Sequence, residues 1–166
     1  MAERNYVVEQ LGLKYEGLFD LAGLYAIIDD YFKKQGYEKT ELENSEYITE
    51  NGKQITLIIE PYKKISDYAK LMIRIKIIFS DIKEVQVEKD GEKFDVNNGN
   101  VSMVFDGYLE TDYEGRLEQK PIYFFMRTIF DKFIYKIYTK KFENEVSEDV
   151  KHLHDNIKAF LNLQKY

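Results

Sequence analysis

Residues 70 to 79 alternate without a miss. Leu71, Ile73, Ile75, Ile77 and Phe79 fall on one side of an extended chain, and Lys70, Met72, Arg74, Lys76 and Ile78 on the other. A period of two with one wholly apolar side defines a strand that buries a face, and such a strand needs partners in register. The stretch from Tyr37 to Asp112 supplies them. Asn51-Gly52 and Asp90-Gly91 both favour the positive backbone angles of tight hairpin turns, and Asn98-Gly99 is expected to mark a third turn. The expected product is a largely antiparallel meander of about five strands. Residues 38 to 50 are mostly charged or polar, which puts their strand at an edge, where charge discourages pairing with other chains.

The flanking segments read differently. Leu11 to Phe19 is a candidate opening strand. From Asp20 onward the period changes: Leu21, Leu24, Tyr25, Ile28, Tyr31 and Phe32 recur at steps of three and four, the stripe of an amphipathic N-terminal helix. Asp20 suits its N-cap, Lys33 and Lys34 its last turn, and Gly36 the left-handed position after it. Tyr-Glu-Gly occurs at 15–17 and again at 113–115, each time between an expected strand and an expected helix.

Seven of the seventeen residues from Ile122 to Tyr138 are aromatic, more than one core-facing helix uses. Pro121 can open this helix, since its missing amide proton is not needed in the first turn. At 100° per residue, Ile122, Met126, Ile129, Phe130, Phe133, Ile134 and Ile137 form one apolar arc. Lys132, Lys136 and Lys140 run beside it, while Phe124, Tyr135 and Tyr138 lie on the back and its flanks. A bend near Phe142 to Asn144 is expected to separate it from a final helix with a seam of Val146, Val150, Leu153, Ile157, Phe160 and Gln164. The fold class is therefore α+β: one domain over 1–166, with 121–166 as a C-terminal helical pair, a hairpin packed on one sheet face. The element order resembles that of helix-grip domains, in which a curved sheet wraps a terminal helix around an apolar pocket. That resemblance covers element order alone and implies a small hydrophobic ligand beside Ile73, Ile75 and Phe133; the extra final helix departs from it.

Composition narrows the chemistry. With no cysteine, disulfides, thiolate metal sites and cysteine nucleophiles are all excluded. No G-x-S-x-G elbow and no glycine-rich phosphate loop is present. His152 and His154 point apart on a helix, and Glu148, His152 and Asp155 share a face that reads as solvated. Glu110, Asp112 and Glu114 alternate before Gly115 like the start of a calcium loop, but Pro121 stands where its bidentate glutamate belongs, which leaves only a weak metal candidate. No cofactor is expected, and the reading leans away from an enzyme.

The chain carries a net charge of -6, yet residues 51–82 carry +3 and residues 121–142 carry +4. Lys63, Lys64, Lys70, Arg74 and Lys76 make up the first basic island. Three functions follow, in order of preference. The first is a self-associating interaction module, a homo-oligomer or protein partner meeting Phe124, Tyr135, Tyr138, Lys132, Lys136 and Lys140. Next comes the helix-grip-like ligand carrier, and then a ribosome- or RNA-associated factor using the basic strand. Without a signal-like start or a membrane-length apolar run, the expected setting is the cytoplasm.

Overall fold

The computed structural model describes residues 2–111, 125, 128 and 129, and 135–163. Strand β1 spans Glu3–Phe19 and runs directly into helix α1, Leu21–Gln35. The strands β2 (Glu41–Thr49), β3 (Gly52–Ile59), β4 (Tyr62–Lys64), β5 (Ala69–Lys89) and β6 (Glu92–Thr111) follow, and helix α2, Tyr135–Leu163, comes last. The first helix thus comes second in the order, after the opening strand. All pairings are antiparallel, in the sheet order β1-β6-β5-β3-β2 with β4 beside β5, so the expected antiparallel α+β arrangement holds with six strands among the described residues.

Local chemistry sets the ends of α1. The Asp20 carboxylate accepts from the Gly23 amide at 3.0 Å, and Gly36 adopts φ 77° while the Tyr37 amide reaches back to the Phe32 carbonyl at 2.9 Å. Glu50 and Asn51 turn the β2–β3 hairpin, and Asp90 (φ 54°) with Gly91 (φ 82°) turns β5 into β6.

The alternation at 70–79 is the core. Leu71, Ile73, Ile75, Ile77 and Phe79 are completely buried, together with Phe105 of β6. The helices cover this side. Tyr25 of α1 meets the Phe79 ring edge-on at 5.8 Å, and Phe19 stacks on the same ring at 6.0 Å. From α2 the residues Val146, Val150, Leu153, Ile157 and Leu161 descend into the same cluster. Gly107 lies at the crossing, where a β-carbon would stand 2.9 Å from a Val150 methyl.

Three local expectations change. No bend occurs at Phe142 to Asn144: α2 is unbroken from 135 to 163. Nothing there breaks a helix, since the segment has neither glycine nor proline and its neighbours keep one continuous buried stripe. The expected seam of Val146, Val150, Leu153 and Ile157 is buried against the chain's own sheet, with Leu161 added to it and Phe160 packed partly buried beside it; Gln164 lies outside the described residues. The first Tyr-Glu-Gly lies inside β1, not at a corner; the second falls outside the described residues. Nor is Asn98-Gly99 a turn, because β6 passes straight through it.

Gly99 serves a different need. Opposite it, β5 carries a bulge between Ser80 and Lys83, with Asp81 at φ 57°. A β-carbon on Gly99 would stand 2.4 Å from the Ile82 Cδ1 and 2.9 Å from the Ser80 carbonyl oxygen. Backbone cannot retreat as a side chain can. Gly99→Ala is therefore expected to lower the unfolding free energy by about 1–3 kcal/mol. The test is a lower urea midpoint at unchanged slope, and a midpoint equal to the parent's would mean the bulge has room to spare. No helix among the described residues is long and apolar enough to cross a membrane.

Candidate functional site

Three places concentrate chemistry outside the apolar core. The first lies under α2. Asp149 is 7% exposed, and its carboxylate accepts from the Tyr37 hydroxyl at 2.8 Å while its carbonyl accepts from the Tyr31 hydroxyl at 2.8 Å. Lys63 sits beside them, 2.8 Å from the Glu145 carboxylate and over the Tyr37 ring at 5.1 Å. The cluster ties α1, the turn after it and β4 to the last helix. Burial pushes the Asp149 carboxyl above its ordinary value, helped by Glu145 and opposed by Tyr37, Lys63 and His152. Burial beside this carboxylate also raises both tyrosines.

The second cluster straddles one end of the sheet on the side away from the helices. Glu110 is 5% exposed and is held by Lys70 at 2.8 Å and Arg4 at 3.2 Å. Arg4 also lies over the ring of Tyr108, which packs against Tyr6 at 4.9 Å and donates its hydroxyl proton to Glu60. Tyr62 donates to Glu38, with Lys70 over its ring. Each acid in these two clusters is met by a cation or a phenol. Such pairing locks strands and helices together, and it places no nucleophile beside a free base.

The third place is the free edge of the sheet. β2 ends the strand order, and among the described residues no strand pairs with its outer side. Leu42, Tyr47 and Ile48 are 52%, 64% and 85% exposed there. A cleft of about 320 Å³ flanks Ile48, lined also by Leu21, Gly52, Lys53 and Ile82. A smaller one of about 240 Å³ lies between Gly12–Tyr15 of β1 and His154, Lys158 and Leu161 of α2. There His154 packs its ring edge-to-face with Phe105 and lies 3.2 Å from the Gly12 carbonyl oxygen.

The residues singled out from sequence fare unequally. Phe124 and Lys132, with Asp112 and Glu114, lie outside the described residues, as do the side chains of Tyr135, Lys136 and Tyr138; Lys140 is exposed on α2. The basic island is divided between the two sides of the sheet. Lys63 points under α2, whereas Lys64 and Lys70 pair across β4 and β5 on the opposite side, along with Arg74 and Lys76. Lys63 and Lys70 are both engaged in ion pairs. With both Glu110 oxygens taken by cations, that carboxylate is not free for a metal, and no three His, Asp or Glu side chains converge among the described residues. Sequence reasoning missed Asp149 with its two tyrosines, for which no local signal exists. It also missed Tyr47-Ile48, an apolar pair in a strand already expected at an edge.

The Asp149 cluster generates a pH signature. A carboxyl raised in the folded state binds its proton more tightly there than in the unfolded chain. Its stabilising contribution is complete below the ordinary value of 3.8 and fades as pH rises through the raised value. Asp149→Asn keeps an acceptor for Tyr37 and removes this titration. Wild type is expected to lose stability relative to Asp149→Asn as pH rises from below 3.8, measured by urea midpoints at a series of pH values. A parallel pH course in the two proteins would show that Asp149 titrates alike folded and unfolded. Comparison with protein-family models and with curated proteins returns no match for this chain.

Proposed function

We propose that this chain is a non-enzymatic interaction module whose contact surface is the outer edge of β2. One observation carries the reading: Leu42, Tyr47 and Ile48 stand more than half exposed along a strand with no partner on that side among the described residues. An edge strand offers unpaired amide and carbonyl groups, and pairing with a further strand is the way such edges bind proteins. Large apolar side chains on such an edge add buried area to that pairing.

The contrast with the other end of the sheet supports the same reading. β1 is also terminal, but its register is broken twice between Tyr6 and Leu11, with Gln10 at φ 51°. Bulges of this kind twist an edge away from new partners. From Glu43 to Thr49, β2 keeps a regular register against β3. The order of strands and helices also supports a helix-grip-like scheme, in which the side of the sheet that carries Ile73 and Ile75 would hold the ligand. Among the described residues Ile73 and Ile75 are fully buried in the core cluster, away from the clefts that flank Ile48 and His154.

The test is position-specific photocrosslinking in cells that express the chain. A benzoylphenylalanine replaces Tyr47 in one variant and Lys93, on the β5–β6 hairpin, in another. Protein adducts at position 47 and none at position 93 are expected. Labelling that is equal at both positions, or absent from 47, would remove the β2 edge as a contact surface.

A further inference from the structure

We propose that the occupant of the β2 edge is β2 of a second copy of this chain, running antiparallel in the register that puts Ser45 opposite Ser45. The inference rests on the reading of β2 as the contact surface and adds the identity and geometry of the partner.

Backbone geometry comes first. Thr49 and Gly52 flank a two-residue turn and so form a hydrogen-bonded pair, and alternation then turns the amide groups of Tyr47 and Ser45 toward β3. Those of Asn44, Glu46 and Ile48 turn outward. A second β2 offers the same three residues, so only registers pairing even positions with even positions can form a ladder. A slip by one residue would pair outward groups with inward ones and set opposite sides of the two sheets against each other.

Charge then selects among the allowed registers. With Ser45 opposite Ser45, Glu43 faces Tyr47 and Glu46 faces Asn44, each pairing repeated by the two-fold axis. Every carboxylate in the ladder meets a hydrogen-bond donor, a phenol or an amide. Glu46 also keeps Lys53 of its own chain, 3.1 Å away. Ile48 arrives beside Leu42 of the other copy at both ends, covering two of the exposed apolar side chains. Centring the ladder on Glu46 would set like charges directly opposite, which destabilises a sheet. Centring it on Asn44 sets the Glu46 carboxylate opposite the apolar Leu42 in both directions, and centring it on Tyr47 leaves Glu43 and Asn44 unpaired. The Ser45 register is the one that pairs the whole regular stretch from Glu43 to Tyr47 with its copy and sets no carboxylate against a carboxylate or an apolar side chain.

The arrangement is a closed two-fold contact, the same patch on both copies, and it joins two six-stranded sheets into one. Each copy carries -6, so repulsion between copies opposes the contact and salt should strengthen it.

Because the chain contains no cysteine, single substitutions report the register cleanly. Directly opposed residues of a non-hydrogen-bonded antiparallel pair have Cα atoms about 4.5 Å apart, within the roughly 4.4–6.8 Å that a disulfide spans. Under mild oxidation of the purified full chain, Ser45→Cys is expected to form an interchain disulfide, while Asn44→Cys and Glu46→Cys remain monomeric in denaturing gels. Sedimentation equilibrium of wild type should show a dimer that tightens with added salt. Ile48→Lys should weaken it about tenfold or more. Ile48 is almost fully exposed, so the melting curve of that variant should match wild type at concentrations low enough for both to be monomeric. Preferred cross-linking through position 44 or 46, or no cross-linking with a monomer at tens of micromolar, would overturn the proposal. If that monomer is accompanied by in-cell adducts at position 47 to a different protein, the second copy is excluded and the interaction surface stands.

Discussion

The side of β5 that carries Leu71, Ile73, Ile75, Ile77 and Phe79 is the contact on which the other elements depend. Each of those side chains is withdrawn completely from water, and burying one is worth about 1.5–3 kcal/mol. A single sheet can realise that gain only if something covers it. α1 reaches Phe79 through Tyr25, and α2 lays Val146, Val150, Leu153, Ile157 and Leu161 along the same side. Gly107 lets the second helix come close. The seam of α2 is thus committed to its own sheet, and it is not spare surface for a second subunit.

Polar ties fix how the helices lie on the apolar layer. Hydrophobic contact is non-directional and would tolerate a range of helix positions. Asp149 accepting from Tyr37, with Tyr31 on the carbonyl of the same residue, gives one position a hydrogen-bonding advantage. Lys63 with Glu145 pins the same stretch from the β4 side. On the other side of the sheet, Arg4 and Lys70 clamp Glu110 from the two strands that flank β6. Losing both cations would leave the buried Glu110 carboxylate unmatched, which costs more than the pairing gains.

Features governed by neighbours in sequence were legible from the sequence. The strand at 70–79, the Asp20 cap, the Gly36 terminus and the hairpins near Asn51 and Asp90 each follow from a few adjacent residues. Features set by distant residues were not. Gly99 resembles a turn glycine, yet its role is to admit the Asp81–Ile82 bulge of another strand, which no local pattern reveals. The bend expected at 142–144 divided what is one helix, because the stripe that unites the two parts is defined by the sheet beneath it. The β2 edge was legible in part. Its place at the border followed from its charges, but one irregularity between Glu41 and Glu43 resets which side each residue takes. Past that point Glu46 and Ile48 line up with the buried Ile55 and Leu57 side of β3, and they are left exposed there.

That same edge shows how glutamates can select a partner as well as repel partners. Edge charges act against any strand that would bring a like charge or an apolar surface opposite them. Glu43 and Glu46 are three residues apart, so they lie on opposite sides of the ladder, and each side holds a single carboxylate between Glu43 and Thr49. A strand with a donor at the matching place on each side relieves both. Asn44 and Tyr47 are spaced by the same three residues, in the inverse order that antiparallel pairing demands. The strand therefore carries the complement of its own pattern. In the proposed pairing, a regular, exposed edge with that property would reject most passing strands and accept one arrangement of itself.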